Sequence, residues 1–121
     1  MITELLKGKE VFVGRESGTD RLLVYLSING HIKAFQIGNP GSVPKSVSRA
    51  IPNQNKAHIS IKFDDNGNII ISNLKPENIT FVNGSSIVSK RISENDNIEL
   101  GAEHYQLPLS NLIQSVLKVF Q

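Results

Sequence analysis

The sequence has no cysteine and no tryptophan, and only one methionine among its 121 residues. Without thiols there are no disulfides, no thiol catalysis and no thiolate metal sites. No apolar run approaches the ~20 residues that a bilayer-crossing helix needs, and no basic-then-apolar segment precedes Thr3-Glu4. A cytoplasmic chain without a membrane span is the expectation. Five phenylalanines and two tyrosines are the whole aromatic content, and they do not alternate with basic residues as a nucleic-acid stacking surface does. Nucleic acid is therefore a disfavoured partner. Acidic residues are missing from Arg21 to Phe63, where Arg21, Lys33, Lys45, Arg49, Lys56 and Lys62 stand without an Asp or Glu. An acid-free stretch attracts anions such as phosphate groups, and equally describes ordinary solvated strand faces.

What is present suits one β-rich domain, because a chain of this length supports one ordinary core. Leu22, Val24, Leu26 and Ile28 alternate, and Asn29-Gly30 then closes a hairpin into His31–Ile37. Ile59, Ile61 and Phe63 alternate again, and Asp64-Asp65-Asn66-Gly67 returns the chain along Asn68–Ser72. Shorter strands are expected at Val11–Val13, Thr80–Val82, Ile87–Val88, Ile98–Leu100 and Tyr105–Leu107. Short strands punctuated by turn residues point to an all-β fold, an antiparallel β-sandwich.

Two segments depart from that pattern. Thr3–Lys7 before Gly8 reads as one helical turn or a frayed lead-in. Near the other end, Ser110 or Asn111 is placed to cap an amphipathic helix with Leu112, Ile113, Val116, Leu117, Val119 and Phe120 on one stripe. Docking on the sandwich of its own chain is the simpler fate for that stripe. A partner surface, or the start of a longer helix, remains open. The expected division is thus 1–20 as an N-terminal extension with a short strand, 21–108 as the sandwich and 109–121 as the helix.

Catalytic constellations fail one by one. Gly38–Ser46 ends in Lys45-Ser46 like a phosphate-binding loop, but Pro44 stands where a glycine must precede the lysine, and it has no N–H to offer. His31, His58 and His104 lack metal-ligand spacing, so no metal and no cofactor is expected. Ser17, in Gly-x-x-Ser-Gly, does not fit a nucleophile elbow. Asn78-Ile79-Thr80 and Asn83-Gly84-Ser85 have the form of glycosylation sequons and read as turn chemistry. No enzyme is indicated.

Three pieces remain: Ile37-Gly38, Asn55-Lys56-Ala57-His58, and Asn78-Ile79-Thr80-Phe81-Val82-Asn83-Gly84. In this order they resemble a forkhead-associated domain, whose motif runs Ile-Gly-Arg, Ser-x-x-His, Asn-Gly-Thr and Val-Asn-Gly. The resemblance covers roughly Arg21 to Pro108. It implies a non-catalytic module whose loops meet at one end of a sandwich and grip a phosphothreonine peptide. Arg and Ser would hold the phosphate, the first Asn the peptide backbone, and the His would brace the loop. A guanidinium forks onto phosphate oxygens and an amide both donates and accepts, which suits these duties.

Carried over residue by residue, Gly38, His58, Thr80, Asn83 and Gly84 keep the scaffold, and Asn78 keeps the peptide-gripping position. The departures are Asn39 in place of Arg, Asn55 in place of Ser and Ile79 in place of Gly. Losing a charge-assisted fork weakens phosphate binding by about 1.5–3 kcal/mol, or roughly ten- to a hundredfold. Lys45, Ser48, Arg49 and Lys56 lie where they could compensate. A second alignment sets Ser48-Arg49 as the motif's Ser-Arg, at the cost of an insertion before His58, and the three-residue spacing from Asn55 to His58 favours the first. Gly14-Arg15 also imitates the motif's Gly-Arg, but its distance from Asn55 marks it as a decoy in a turn. The expected partner is a phosphorylated protein segment, with phosphate-independent scaffolding as the alternative and a basic face for nucleic acid as a third reading.

Overall fold

The computed structural model describes residues 2–120. A short helix α1 (Ile2–Leu6) leads into ten strands: β1 (Glu10–Arg15), β2 (Leu22–Ile28), β3 (His31–Ile37), β4 (Ile59–Phe63), β5 (Ile69–Asn73), β6 (Thr80–Val82), β7 (Ser85–Ser86), β8 (Ser89–Ile92), β9 (Ile98–Leu100) and β10 (Tyr105–Gln106). Helix α2 (Leu109–Val119) follows. The larger sheet has the order β3-β2-β1-β4-β5-β8 and the smaller one β10-β9-β6-β7. Neighbouring strands in both sheets pair antiparallel. The fold is all-β, as the alternation predicts.

The turn residues act through their backbone. Asn29 and Gly30 take φ of 52° and 80°, and Asn83 and Gly84 take 51° and 88°. Positive φ at both central residues gives the hairpin turn whose twist matches its strands, and Asn-Gly adopts it at least cost.

Alternate strand residues fill one core. Val11, Val13, Leu22, Val24, Ile59, Ile61 and Ile71 of the larger sheet, each 0% exposed, meet Val82, Ile98 and Leu100 of the smaller. Leu112, Ile113 and Val116 of α2 belong to the same cluster and are fully buried. At about 1.5–3 kcal/mol for each buried aliphatic side chain, this burial docks the helix on its own chain. Neither Ser110 nor Asn111 caps it. The helix starts one residue earlier, where Pro108 sets the backbone and its carbonyl accepts from Leu112 N–H at 2.9 Å.

Three expectations need correction. The segment 1–20 is no mere extension: β1 lies inside the larger sheet between β2 and β4. Gly14-Arg15 closes that strand instead of forming a turn, because Arg15 is in register with Leu22. Ile87-Val88 is the connector between two strands. β8, which it precedes, is an edge strand with the burial pattern exposed-exposed-exposed-buried, so its sequence carries no alternation to read.

The outer face of the larger sheet carries a second, smaller cluster of Leu23, Tyr25, Ala50 and Ala57, with Phe12 against it. The Phe12 and Tyr25 rings stack at 5.1 Å, and the Tyr25 hydroxyl donates to the Lys56 carbonyl at 2.8 Å. The segment Ala50–Ala57, including a 3-10 turn at Pro52–Gln54, is thereby folded out over this face.

Candidate functional site

Antiparallel registry brings several chain ends to one rim. Arg15 finishes β1 opposite Leu22, which starts β2; Ile59 starts β4 opposite Asn73, which finishes β5; Thr80 starts β6. The loops beyond those ends carry the candidate residues.

The backbone of Ser48–Ala50 runs alongside the end of β1. Arg15 N–H donates to Ser48 O at 2.9 Å, and Ala50 N–H donates to Arg15 O at 3.0 Å. This approach requires a residue without a side chain. A Cβ on Gly14 would lie 2.7 Å from Ser48 O and 2.8 Å from Ala50 N. Gly14 thus permits the contact that sets Arg15 beside Ser48.

Arg15 is 9% exposed. Its Nε donates to Val47 O at 3.1 Å and its Nη1 to Asp20 Oδ1 at 3.2 Å. Lys45 Nζ reaches both Asp20 oxygens at 3.3 Å. The Lys45 hydrogen bond, with Arg15 adding to it, holds the Asp20 carboxyl below the usual carboxylate range against an opposing desolvation. Two cations therefore converge on a single carboxylate, and one of them, Arg15, also holds the carbonyl of Val47, the residue before Ser48.

The second half of the rim is a buried polar network. Ser48 N–H donates to His58 Nδ1 at 2.9 Å, and His58 Nε2 lies 2.8 Å from the Ile79 carbonyl. Since Nδ1 accepts, Nε2 carries the proton and the imidazole is neutral. Burial pushes its pKa down, opposed by the Ile79 hydrogen bond. Ser48 Oγ is hydrogen-bonded to Asn78 Oδ1, and Asn78 Nδ2 donates to His58 O at 3.2 Å. Asn73 Nδ2 ties the same loop through Lys75 O and Asn78 O, and Thr80 Oγ1 donates to Asn73 Oδ1 at 2.9 Å. Buried groups so placed must satisfy one another, which fixes both loops.

The structure brings Ser48, His58, Asn78 and Thr80 to one rim with Arg15 and Arg49, and leaves Gly38, Asn39, Asn55, Lys56, Asn83 and Gly84 outside that network. Asn55 is exposed in the left-handed region (φ 54°) behind the 3-10 turn, on the segment folded out past Tyr25; its neighbour Lys56 is exposed too. Despite its spacing of three to His58, Asn55 thus lies on an excursion, whereas Ser48 is the residue bonded to both His58 and Asn78. Gly38 and Asn39 are exposed beyond β3, an edge strand separated from β1 by β2, and the Asn39 carbonyl accepts from Ser42 Oγ at 2.7 Å. Arg49 is exposed, bridged through its backbone to Arg15. Asn83 bonds Asp96 Oδ1 at 3.1 Å and Asn97 N–H at 2.9 Å, away from Ser48, which is turn chemistry. Asn78, only 7% exposed, spends its amide within the chain.

Arg15 is the residue that spacing misled. The Val13-Gly14-Arg15 triplet was the signal available for it, and the whole β2–β3 hairpin separates it from Ser48 in sequence. Beside Asn78 a surface cleft of about 730 Å³ opens between Leu74, Ile79, Phe81, Ile87 and Val88. No helix is long and apolar enough to cross a membrane, and no cluster of metal-binding side chains occurs among the described residues.

Residues 51–101 match the family model of the FHA domain, which bears out the resemblance carried by His58, Asn78, Thr80 and Val82-Asn83-Gly84. The match begins three residues after Ser48 and includes neither Ser48 nor Arg15. Neither the curated proteins nor the solved structures contain a match. FHA domains are phosphopeptide-binding protein-interaction modules, and that is the class of function this segment indicates.

Proposed function

We propose that this chain, with its FHA domain as premise, is a non-catalytic interaction module that recognises a phosphothreonine-containing segment of a partner protein at the rim holding Arg15, Lys45, Ser48 and Arg49. The observation that carries the reading is the backbone pairing of Arg15 with Ser48–Ala50, which brings an arginine and a serine separated in sequence by a full hairpin to one rim. An Arg fork and a hydroxyl are the donors that a phosphate's oxygens take, and Ser48 would turn its hydroxyl proton from Asn78 Oδ1 to the phosphate. The missing Arg at Asn39 and Ser at Asn55 then cost nothing, because Arg15 and Ser48 fill those duties. Asn78 serves as a positioning residue that fixes Ser48 and the His58 loop. The cleft walled by Ile79 and Val88 would receive a flanking apolar side chain of the peptide.

The test is a titration of a degenerate phosphothreonine peptide library and its unphosphorylated counterpart against the wild type, Ser48→Ala and Arg15→Gln. Phosphate-dependent binding that falls about tenfold or more in each variant supports the reading, since each loses a donor to a charged group. Equal binding of the two libraries by the wild type overturns it. That result favours phosphate-independent scaffolding, a reading supported by Asn78's amide being engaged inside the chain.

A further inference from the structure

The anion subsite of this rim already contains an anion. Arg15 Nη1 and Lys45 Nζ point at the same carboxylate, and Lys45 is otherwise 76% exposed with no other partner for its charge among the described residues. We infer that Asp20 is an internal competitor for phosphate, clasped by the two cations that the phosphate would use, so that a ligand binds only by displacing it. The inference rests on the phosphothreonine reading of the same rim.

The loop that delivers Asp20 holds its backbone in place and leaves the carboxylate to side-chain contacts alone. It runs from Glu16 to Arg21, closed at its base by Glu16 N–H to Arg21 O at 2.8 Å. Its tip, Ser17 to Thr19, is exposed, and a Cβ on Gly18 would meet nothing within 4 Å. Asp20 itself is held at φ 53°, a conformation that costs a non-glycine residue free energy unless something fixes it. The clasp with Arg15 and Lys45 fixes its side chain, while Asp20 N–H to Glu16 O at 3.0 Å, Val43 N–H to Asp20 O at 3.0 Å and Gly41 N–H to Thr19 O at 2.7 Å fix the backbone around it. Rotation of the side chain away would free both cations while these backbone bonds stay in place.

A phosphate dianion carries about twice the charge of a carboxylate and offers three oxygens. It therefore wins the exchange, but at an affinity lowered by the cost of parting Asp20 from its cations. Displacement of a carboxylate by a neutral ligand group would gain nothing. The clasp thus keeps unphosphorylated peptides off the two cations and sets a threshold for phosphate.

The experiment compares the wild type with Asp20→Asn, Asp20→Gly and Asp65→Asn in the same degenerate phosphothreonine library, with the unphosphorylated library alongside. Asparagine keeps the shape and tolerates positive φ, and glycine removes the side chain at a φ that suits it; the two keep the test open if one variant folds poorly. Asp65, in the turn after β4 at the other end of the strand, controls for net charge. Both Asp20 variants are expected to bind the phosphorylated library about two- to fivefold more tightly, the scale of one exposed to half-buried ion pair, with the control unchanged. Phosphate-dependent binding that is unchanged or weakened in the Asp20 variants overturns the inference alone and makes Asp20 a brace for Arg15. Absence of any preference for the phosphorylated library in every variant overturns the phosphothreonine reading, and the inference with it.

Discussion

Replacing His58 with alanine should unfasten the rim and weaken the whole sandwich. The ring is 0% exposed and joins two loops, accepting from Ser48 N–H and donating to Ile79 O. Truncation leaves a backbone donor and a backbone acceptor without partners, at about 1–3 kcal/mol each, and opens a cavity besides. Because Ser48 and Ile79 reach the surface, water recovers part of that loss, so we expect a total of about 3–5 kcal/mol. For a domain of this size that lowers Tm by roughly 10–20 °C. Urea unfolding followed by far-UV circular dichroism measures it directly, since no tryptophan is present for fluorescence. The pH dependence gives a second reading. The folded pKa of His58 lies below its unfolded value, so the unfolded chain takes up the proton first. The stability contributed by the neutral ring is complete above pH ~6.5 and declines as pH falls toward the folded value, by at most about 1.4 kcal/mol per pH unit. Asp20, Asp64 and Asp96, whose pKa values are lowered, contribute above the ordinary carboxylate value of 3.8 and lose that contribution only as pH falls through their folded values. The two windows are separate. His58→Ala should therefore flatten the decline between pH 6.5 and 4.5. A loss under 1 kcal/mol, or an unaltered slope there, would refute the bracing role.

Gly14→Ala should destabilise by about 1–3 kcal/mol through overpacking, since its Cβ would meet Ser48 O and Ala50 N below 3 Å; an equal melting temperature would contradict the close approach that sets Arg15 beside Ser48. Leu112→Ala should cost about 2–5 kcal/mol in urea unfolding, whereas Gln114→Ala on the exposed side should stay within about 0.5 kcal/mol, and similar values for the two would mean the helix is not docked as described.

Much of the fold is legible residue by residue. The alternation of Leu22–Ile28 and of Ile59–Phe63, the Asn-Gly turns and the stripe of α2 each state a local preference that burial then satisfies. β8 was not legible, because an edge strand with one buried residue leaves no periodic trace. His58, Asn78 and Thr80 were legible as a motif because they sit on a continuous strand-turn-strand path within residues 51–101.

The other half of the site was decided by tertiary structure. An antiparallel hairpin returns the chain to within one strand spacing of where it left, about 5 Å, so the residues spent on β2 and β3 add nothing to the distance from Arg15 to Ser48. The excursion Ala50–Ala57 works the other way: it carries Asn55 out over Tyr25 although only three positions separate it from His58. Sequence alone determined that these strands form, which side chains turn inward and that residues 51–101 carry the motif of the FHA family. Which glycine, which arginine and which serine stand together depended on strand pairing and on the outer-face packing of Tyr25, since neither is a function of spacing along the chain.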